Sequence, residues 1–586
     1  MIITPKKFGM KDSQTDITTL VKENASKWIQ SPFDIETQHA AQQMMDDNSE
    51  ELIESFYTDL AFGTGGMRGI MGVGTNRVNK YTFGRATQAL ADLLNQQYEN
   101  GSVAIAFDCR NNSLELSNIV ADILSANGIK AYIFNELRPT PQLSFMVRHL
   151  GCSAGIVITA SHNPPEYNGY KVYGNDGCQI VAPFDKQLID QVLNTQFDEI
   201  KFDRNEGLVE YLDGEADEIY LNAIKTLSLS PKIIQAQELS IVYTGLHGTG
   251  AVMVRKALEK FGFNEIHTVY EQDKIDGNFS TVDSPNPEEP AALKMAMKLA
   301  DQLNSDLVMG TDPDADRVGI AIRSKNGNLK LLNGNQTGAL LIYYILKRSR
   351  RLELLEGNEF IAKTVVTTEL IDKMSLDFGV KVYNTLTGFK HIGAVIREKE
   401  GKEKYLAGGE ESYGYLVGDL VRDKDGVSAC CMIAEMMVWA QSKDLHVEDL
   451  LAEIYMKYGF YQEDLVSVTK KGRQGADEIA QMVENFRSNP PVKINGSTVS
   501  RMIDYKSLEE KNMLDGSIQK VNLPSSNFMQ FYTEDGSKIT VRPSGTEPKI
   551  KFYFSVNGPL NSPEEYLQTE KLLKEKIQNI KDDLGI

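Results

Sequence analysis

Three carboxylates at alternate positions, Asp312, Asp314 and Asp316, stand between two apolar runs in Met309-Gly-Thr-Asp-Pro-Asp-Ala-Asp-Arg317-Val-Gly-Ile. Negative charges crowded this closely repel one another unless a cation lies between them, and hard oxygen donors suit Mg²⁺. An EF-hand is excluded, because Arg317 fills the sixth position, where glycine is needed, and Arg323 the twelfth, where glutamate is needed. Phosphatases that form a phosphoaspartate also use an Asp-x-Asp loop, and on this loop alone that reading stays open.

A second polar loop, Ala160-Ser161-His162-Asn163-Pro164-Pro165-Glu166-Tyr167-Asn168-Gly169-Tyr170-Lys171, follows an apolar strand predicted at 155–159. Loops after buried strands are where α/β folds carry reactive groups. Ser161 is a candidate nucleophile, yet no Gly-x-Ser-x-Gly elbow surrounds it and His162 is only its neighbour in sequence, so a hydrolase triad is unsupported. A third loop, Gly408-Gly-Glu410-Glu411-Ser412-Tyr413-Gly414, sets carboxylates, a hydroxyl and an aromatic ring together, which suits hydrogen bonding to sugar hydroxyls. In a fourth, Arg542-Pro-Ser544-Gly545-Thr546-Glu547-Pro-Lys549, a guanidinium fork, two hydroxyls and a glycine are the parts of a phosphate nest. Gly63-Thr-Gly-Gly-Met-Arg68-Gly69 adds an arginine able to face the same anion. The run Gly245-Leu-His-Gly248-Thr-Gly250 follows a strand, but its glycines come in the reverse of the dinucleotide-binding order, so tight strand-to-helix packing is the expectation.

The elements that must position these loops are legible from periodicity. Residues 16–60 carry apolar positions at helical spacing and read as a helical lead. After it, short apolar strands alternate with amphipathic helices in three successive blocks, the signature of βαβ units in mixed sheets, and from about residue 460 alternating strands and a charged terminal helix replace them. The expected domains are 1–206, 207–326, 327–457 and 458–586. The net charge is −19, so bulk electrostatics argue against nucleic acid, and any anion site must be built locally. No apolar run is long enough for a membrane span, and the N-terminus lacks the apolar core of a signal peptide, so a cytoplasmic location is expected. Five cysteines without a CxxC pair read as reduced, buried thiols.

Taken in order from residue 63 to 552, the Arg68 loop, Thr-Ala-Ser161-His-Asn-Pro-Pro, Asp-x-Asp-x-Asp-Arg, Gly-Glu-Glu-Ser and Arg-Pro-Ser-Gly-Thr-Glu-Pro resemble the α-D-phosphohexomutase superfamily. The resemblance implies three similar α/β domains followed by a smaller α+β domain around a central cleft. It implies that Ser161 carries a phosphoryl group and that Asp312, Asp314 and Asp316 hold one Mg²⁺ per chain with an oxygen of that phosphoserine. Lys171 matches the family's general acid or base, a role expected to need a pKa lowered by nearby cations. Arg68 and Arg317 match groups that steady the phosphoryl in transit, and Glu410 and Ser412 those that hold the sugar. Arg542, Ser544, Gly545 and Thr546, with Lys390 as a further contact, match the groups that bind the other phosphate. The implied reaction converts α-D-glucose 1-phosphate and glucose 6-phosphate into each other through glucose 1,6-bisphosphate. The fourth domain would close over the sugar phosphate, and a monomer or weak dimer is expected. Glu-Glu-Ser-Tyr-Gly resembles the glucose-type loop. The helical lead is shared with a branch that includes phosphopentomutases and a glucose-bisphosphate synthase, so mannose and pentose phosphates remain alternatives. A metal-dependent phosphomonoesterase is the reading from another class, and it would not need the Arg542 loop.

Overall fold

The computed structural model describes residues 13–47, 49–63, 65–470, 472–544 and 549–586. The lead forms the helices Ser13–Lys27, Ile35–Asp47 and Glu50–Phe56, which close around Trp28, Phe33 and Phe56. Trp28 stacks on Phe33 with ring centroids 4.2 Å apart. Tyr81, on the helix Lys80–Gln97, packs edge-on against both rings and donates its hydroxyl to Asp34 at 2.8 Å. The lead is thus a cap fastened to the first domain by burial of aromatic area, the strongest apolar glue per residue.

Three mixed sheets follow. The first runs in the order Gly66–Ile70, Tyr167–Gly174, Ala154–Ile158, Ser102–Phe107, Lys130–Phe134, Val209–Leu212, with apolar clusters on both faces. Its central strands are apolar throughout, as strands covered by helices on both sides must be. The second is Leu329–Leu332, Val318–Arg323, Leu307–Thr311, Ile241–Thr244, Ile266–Thr268, and the third is Lys381–Thr385, Glu359–Thr364, Lys404–Glu410, Gly414–Val417. The fourth domain is an antiparallel sheet, from Phe460–Thr469 through Lys549–Gly558 and Lys538–Pro543 outward, packed against the helices Gly472–Ser488 and Tyr566–Leu584.

Two strand pairings cross the expected boundaries. Val209–Leu212 pairs in parallel with Lys130–Phe134, so the first sheet extends past residue 206. Leu329–Leu332 pairs antiparallel with Val318–Arg323, so the second extends past 326. Both strands are short edge strands whose membership is decided by the neighbour they hydrogen-bond. One continuous apolar core then joins the second, third and fourth domains, with the helix Gly426–Gln441 buried along nearly its whole length. All five cysteines are buried and free, as expected. Among the described residues no helix is long and apolar enough to cross a membrane.

Candidate active site

Each domain presents its reactive loop in the same way, as the connection between two antiparallel neighbours. The Ser161 loop joins Ala154–Ile158 to Tyr167–Gly174, and the aspartate loop joins Leu307–Thr311 to Val318–Arg323. The Glu410 loop joins Lys404–Glu410 to Gly414–Val417, and the Arg542 loop joins Lys538–Pro543 to Lys549–Gly558. Such connections place polar residues at the ends of buried strands, and residues from all four domains line one cleft of about 1000 Å³. Its walls include Arg68, Ser161, Lys171, Asp316, Arg317, Glu410, Ser412 and Arg542, so the sequence candidates from all four domains meet.

Ser161 has a left-handed backbone (φ 52°) and is almost wholly buried. Its Oγ donates to Asp312 Oδ2 at 2.7 Å. It also lies 3.1 Å from His162 Nδ1, so the histidine read only as a sequence neighbour touches the serine. Burial, then the guanidinium groups of Arg317 and Arg68, hold His162 far below the usual imidazole range, hence neutral.

The three aspartates are buried, with ligand oxygens all within 4.8 Å of one another. Burial, then Asp316 and Asp314, push the Asp312 carboxyl well above its ordinary range. Burial opposes ionisation of Asp314 as well, but the Lys171 ammonium outweighs it and holds this carboxyl low. Asp312 Oδ1 caps the turn by accepting the Asp316 and Arg317 N–H groups at 3.1 and 3.0 Å. Asp314 Oδ1 and Asp316 Oδ1 are buried with no hydrogen-bond partner. Two orphaned carboxylate oxygens beside a third buried carboxylate fit a hard divalent cation, which would take up those lone pairs and relieve the repulsion. Behind the turn, a Cβ at Gly248 would lie 2.4 Å from Pro313 Cα and one at Gly250 2.1 Å from the Tyr243 hydroxyl. The reversed glycine run therefore serves close packing against the aspartate loop, as its order predicted.

Lys171 corrects one expectation. Its Nζ donates to Asp314 Oδ2 at 2.7 Å and to Asp316 Oδ2 at 3.3 Å. Burial lowers its pKa, but the Asp314 and Asp316 carboxylates more than compensate, so the group is raised and held as the ammonium. Anions, not cations, are its nearest neighbours. Arg317 is clamped between Glu288 and Asp316, and Arg68 donates to Asn163 Oδ1 at 2.7 Å across the mouth of the serine loop.

In the third domain, Glu410 accepts the Gly388 N–H at 2.8 Å and Glu411 accepts hydroxyls from Thr364 and Thr367, both at 3.1 Å. Glu410, Glu411 and Ser412 all line the cleft, with one Glu411 oxygen engaged by the two threonines. In the fourth domain Arg542, Lys549 and Lys551 line the same cleft, and Arg542 reaches the Tyr553 hydroxyl at 3.4 Å. Gly545 and Thr546 lie outside the described residues, and Ser544 is held by its N–H to Lys549 O at 2.7 Å. Lys390 follows the wall residues Thr387, Gly388 and Phe389; burial lowers its pKa and the Asp185 carboxylate partly restores it.

Sequence reasoning missed three partners. Thr140, at the start of the helix Thr140–His149, donates its hydroxyl to Asp314 Oδ2 at 3.0 Å. Lys424 lies 3.1 Å from Asp316 Oδ2, and Glu288 pairs with Arg317. The charged run Arg422-Asp423-Lys424-Asp425 ahead of an apolar helix was the available signal for Lys424.

The chain matches three consecutive domain patterns described as phosphoglucomutase/phosphomannomutase, alpha/beta/alpha domains I, II and III, at residues 59–199, 218–326 and 333–458. It is 37% identical over 506 residues to a phosphoglucomutase of Staphylococcus haemolyticus, covering 86% of this chain and 91% of that one. It is 35% identical to a phosphoglucomutase of Staphylococcus aureus strain USA300, covering 91% and 95%. Two crystal structures share the fold. One is the open form of the phosphoglucomutase pp63/parafusin from Paramecium, with TM-score 0.66, 18% identity and coverage of 90% and 97%. The other is a phosphomannomutase structure from Thermus thermophilus, with TM-score 0.65, 22% identity and coverage of 89% and 99%. With a buried serine, an acidic triad, the Glu410 loop and a cationic wall brought from four domains to one cleft, and relatives matching nearly its whole length, this chain belongs to the α-D-phosphohexomutase superfamily and is an enzyme of its isomerase, phosphoryl-transferring class.

Proposed function

We propose that the enzyme interconverts α-D-glucose 1-phosphate and glucose 6-phosphate through a phosphoserine at Ser161 and a glucose 1,6-bisphosphate intermediate. The observation that carries this reading is the Ser161 hydroxyl, fixed 2.7 Å from Asp312 and sharing one cleft with Arg542, Lys549 and Lys551. A site for two phosphates, one at each end, is what a bisphosphate intermediate requires. The Staphylococcus relatives named phosphoglucomutases favour glucose, and Glu410 with Ser412 is the pair placed to read its hydroxyls.

Asp312, Asp314 and Asp316 would hold Mg²⁺, which when bound supplies positive charge to a phosphoserine oxygen. Everything else falls to side chains. Arg542 and Lys549 hold the phosphate that stays, which sets the far hydroxyl of the sugar against phosphoserine 161. Arg68 and Arg317 face the phosphoryl group as it moves, where fixed cations stabilise its spreading charge most. As the P–O bond to the sugar forms, the P–O bond to Ser161 breaks. Lys171, held as the ammonium, gives its proton to the departing serine oxygen and is restored by the proton leaving the sugar hydroxyl. The bisphosphate then turns end for end and returns its other phosphate to Ser161. Closure of the fourth domain keeps water away, so no phosphate is lost to hydrolysis.

A ³¹P NMR time course with Mg²⁺, glucose 1-phosphate and a trace of glucose 1,6-bisphosphate, run beside mannose 1-phosphate and ribose 1-phosphate, tests this. Conversion of the glucose ester to the 6-phosphate, abolished in Ser161→Ala, is the expected result. Growth of an inorganic phosphate signal instead overturns the mutase in favour of a phosphomonoesterase, and faster turnover of another sugar overturns the substrate.

A further inference from the structure

The segment 161–166 carries no regular secondary structure, yet it must hold Ser161 in a left-handed conformation against the aspartate loop of another domain. Glu166 O accepts the Met71 N–H at 2.8 Å, and the carbonyls of Ser161, Asn163, Pro164 and Tyr167 converge on one side chain. Arg110, which is 3% exposed, donates from Nη2 to Ser161 O at 2.7 Å and to Asn163 O, and from Nη1 to Pro164 O at 2.7 Å and to Tyr167 O at 2.9 Å. All four terminal N–H groups of the guanidinium are used on this one loop. Its fifth, on Nε, faces Asp108 Oδ2 at 3.5 Å, and Asp108 in turn accepts the Thr159 hydroxyl at 2.6 Å, just before the serine.

The outer face of Arg110 is covered from the second domain. The Phe279 ring lies over the guanidinium with its centroid 5.1 Å away and is 1% exposed. Phe279 is itself fixed: its backbone is left-handed (φ 51°), and the ring of His247 bridges Lys274 O at 2.8 Å and Thr281 Oγ1 at 2.7 Å on either side of it. Asn111, next to Arg110, adds a direct tie by donating to Asn278 Oδ1 at 2.9 Å.

We infer that Arg110 is the positioning residue for the phosphoryl-carrying serine, and that Phe279 couples its clamp to the docking of the second domain, which also supplies the aspartates. The chemistry admits no simple substitute. A lysine keeps the charge, but its donors diverge from one nitrogen and cannot span four carbonyls spread from Ser161 to Tyr167, whereas the planar fork does. Displacement of a reacting atom by about 1 Å costs about 10²-fold in rate. The inference rests on Ser161 being the phosphoryl carrier, so its test has one arm that reads turnover and one that does not.

In the first arm, kcat and KM for glucose 1-phosphate are measured in the wild type and in Arg110→Lys. In the second, hydrogen–deuterium exchange is followed in a peptide spanning 159–168 and in a control peptide spanning 241–250. Arg110→Lys is expected to lower kcat by about 10²-fold with KM within about threefold, and to speed exchange at 159–168 alone. Arg110→Ala assayed with added guanidinium ion is expected to recover at least part of the lost kcat. Phe279→Leu, which keeps the fork but uncovers it, is expected to fall between wild type and Arg110→Lys in both arms, and it carries the test if Arg110→Lys does not fold. Wild-type exchange and wild-type kcat in Arg110→Lys overturn the inference, as does a loss confined to KM. An inactive wild type whose 159–168 exchange still depends on Arg110 refutes the proposed reaction while leaving the clamp standing.

Discussion

Replacing Lys171 by Met removes the ammonium held between Asp314 and Asp316 while keeping most of its hydrocarbon volume. At 2.7 Å and an effective dielectric constant of about 20, the attraction to Asp314 is about 6 kcal/mol. Most of that is offset by the cost of burying both ions, and breaking such a pair by removing one partner costs about 3–5 kcal/mol. Lys424 stays 3.1 Å from Asp316 and continues to balance the cluster, so the lower end applies, about 3 kcal/mol. For a cooperative unit of about 200 residues, the size of the first domain that carries Lys171, that lowers the midpoint of thermal unfolding by about 6–12 °C. The measurement is differential scanning calorimetry of wild type and Lys171→Met in chelator and again in millimolar Mg²⁺. Because a divalent cation supplies the missing positive charge, the gap is expected to shrink to less than about 1 kcal/mol when Mg²⁺ is present. In the same samples kcat stays about 10²–10⁴-fold below wild type even with Mg²⁺, since the proton donor is gone. Equal midpoints in chelator would refute the argument that Lys171 is a charged partner of the aspartates. A gap that Mg²⁺ does not narrow would refute the triad as the cation site.

The remaining predictions concern the frame around the site. Burial raises the Glu463 pKa from its usual carboxylate range to about 7, and a raised pKa in an acid means stability present below about pH 4.5 and lost as pH rises toward 7. Glu463→Gln should therefore match wild type near pH 5 and exceed it by about 1–2 kcal/mol at pH 8 in chemical denaturation, and equal curves at both pH values would contradict this. A Cβ at Gly334 would sit 1.9 Å from the Glu411 carbonyl oxygen, so Gly334→Ala must push the sugar loop; KM for the sugar phosphate should rise, with about 1–3 kcal/mol lost to overpacking. Steady-state kinetics check it, and an unchanged KM would show that the loop is not held by this contact. Trp28→Ala should cost the helical cap about 3–5 kcal/mol, seen as a low-temperature unfolding step, with kcat and KM preserved, because Trp28 faces Phe33 and Tyr81 and not the cleft. Loss of activity at temperatures where the cap remains folded would give the lead a catalytic role.

Each reactive loop was legible in the sequence because its chemistry demands several particular residue types within a dozen positions: three carboxylates at alternate sites, a serine in a turn-rich segment, an arginine with hydroxyls and glycine. Such loops are local objects, fixed by backbone reversal between two strands, and local objects survive projection onto a line. The α/β alternation was legible for the same reason, since burial on two faces imposes apolar strands wherever they fall. Arg110, Thr140, Lys424 and Glu288 were not legible as site residues. Each acts on a partner in another loop or domain, so nothing nearby in sequence names that partner, even for Lys424 in its conspicuous charged run. The edge strands Val209–Leu212 and Leu329–Leu332 pair with sheets that begin before the expected boundaries, because pairing, not composition, decides which sheet a short strand joins. The charge state of Lys171 belongs to the same class. Its neighbours in sequence are aromatic and apolar, while the two carboxylates that hold it protonated stand more than a hundred residues away. The sequence by itself thus determined which groups exist and which loops carry them. Tertiary structure alone decided which groups face one another, and since Coulomb energy and hydrogen bonding depend on ångströms of separation rather than on order along the chain, it decided their protonation, their rigidity and their roles.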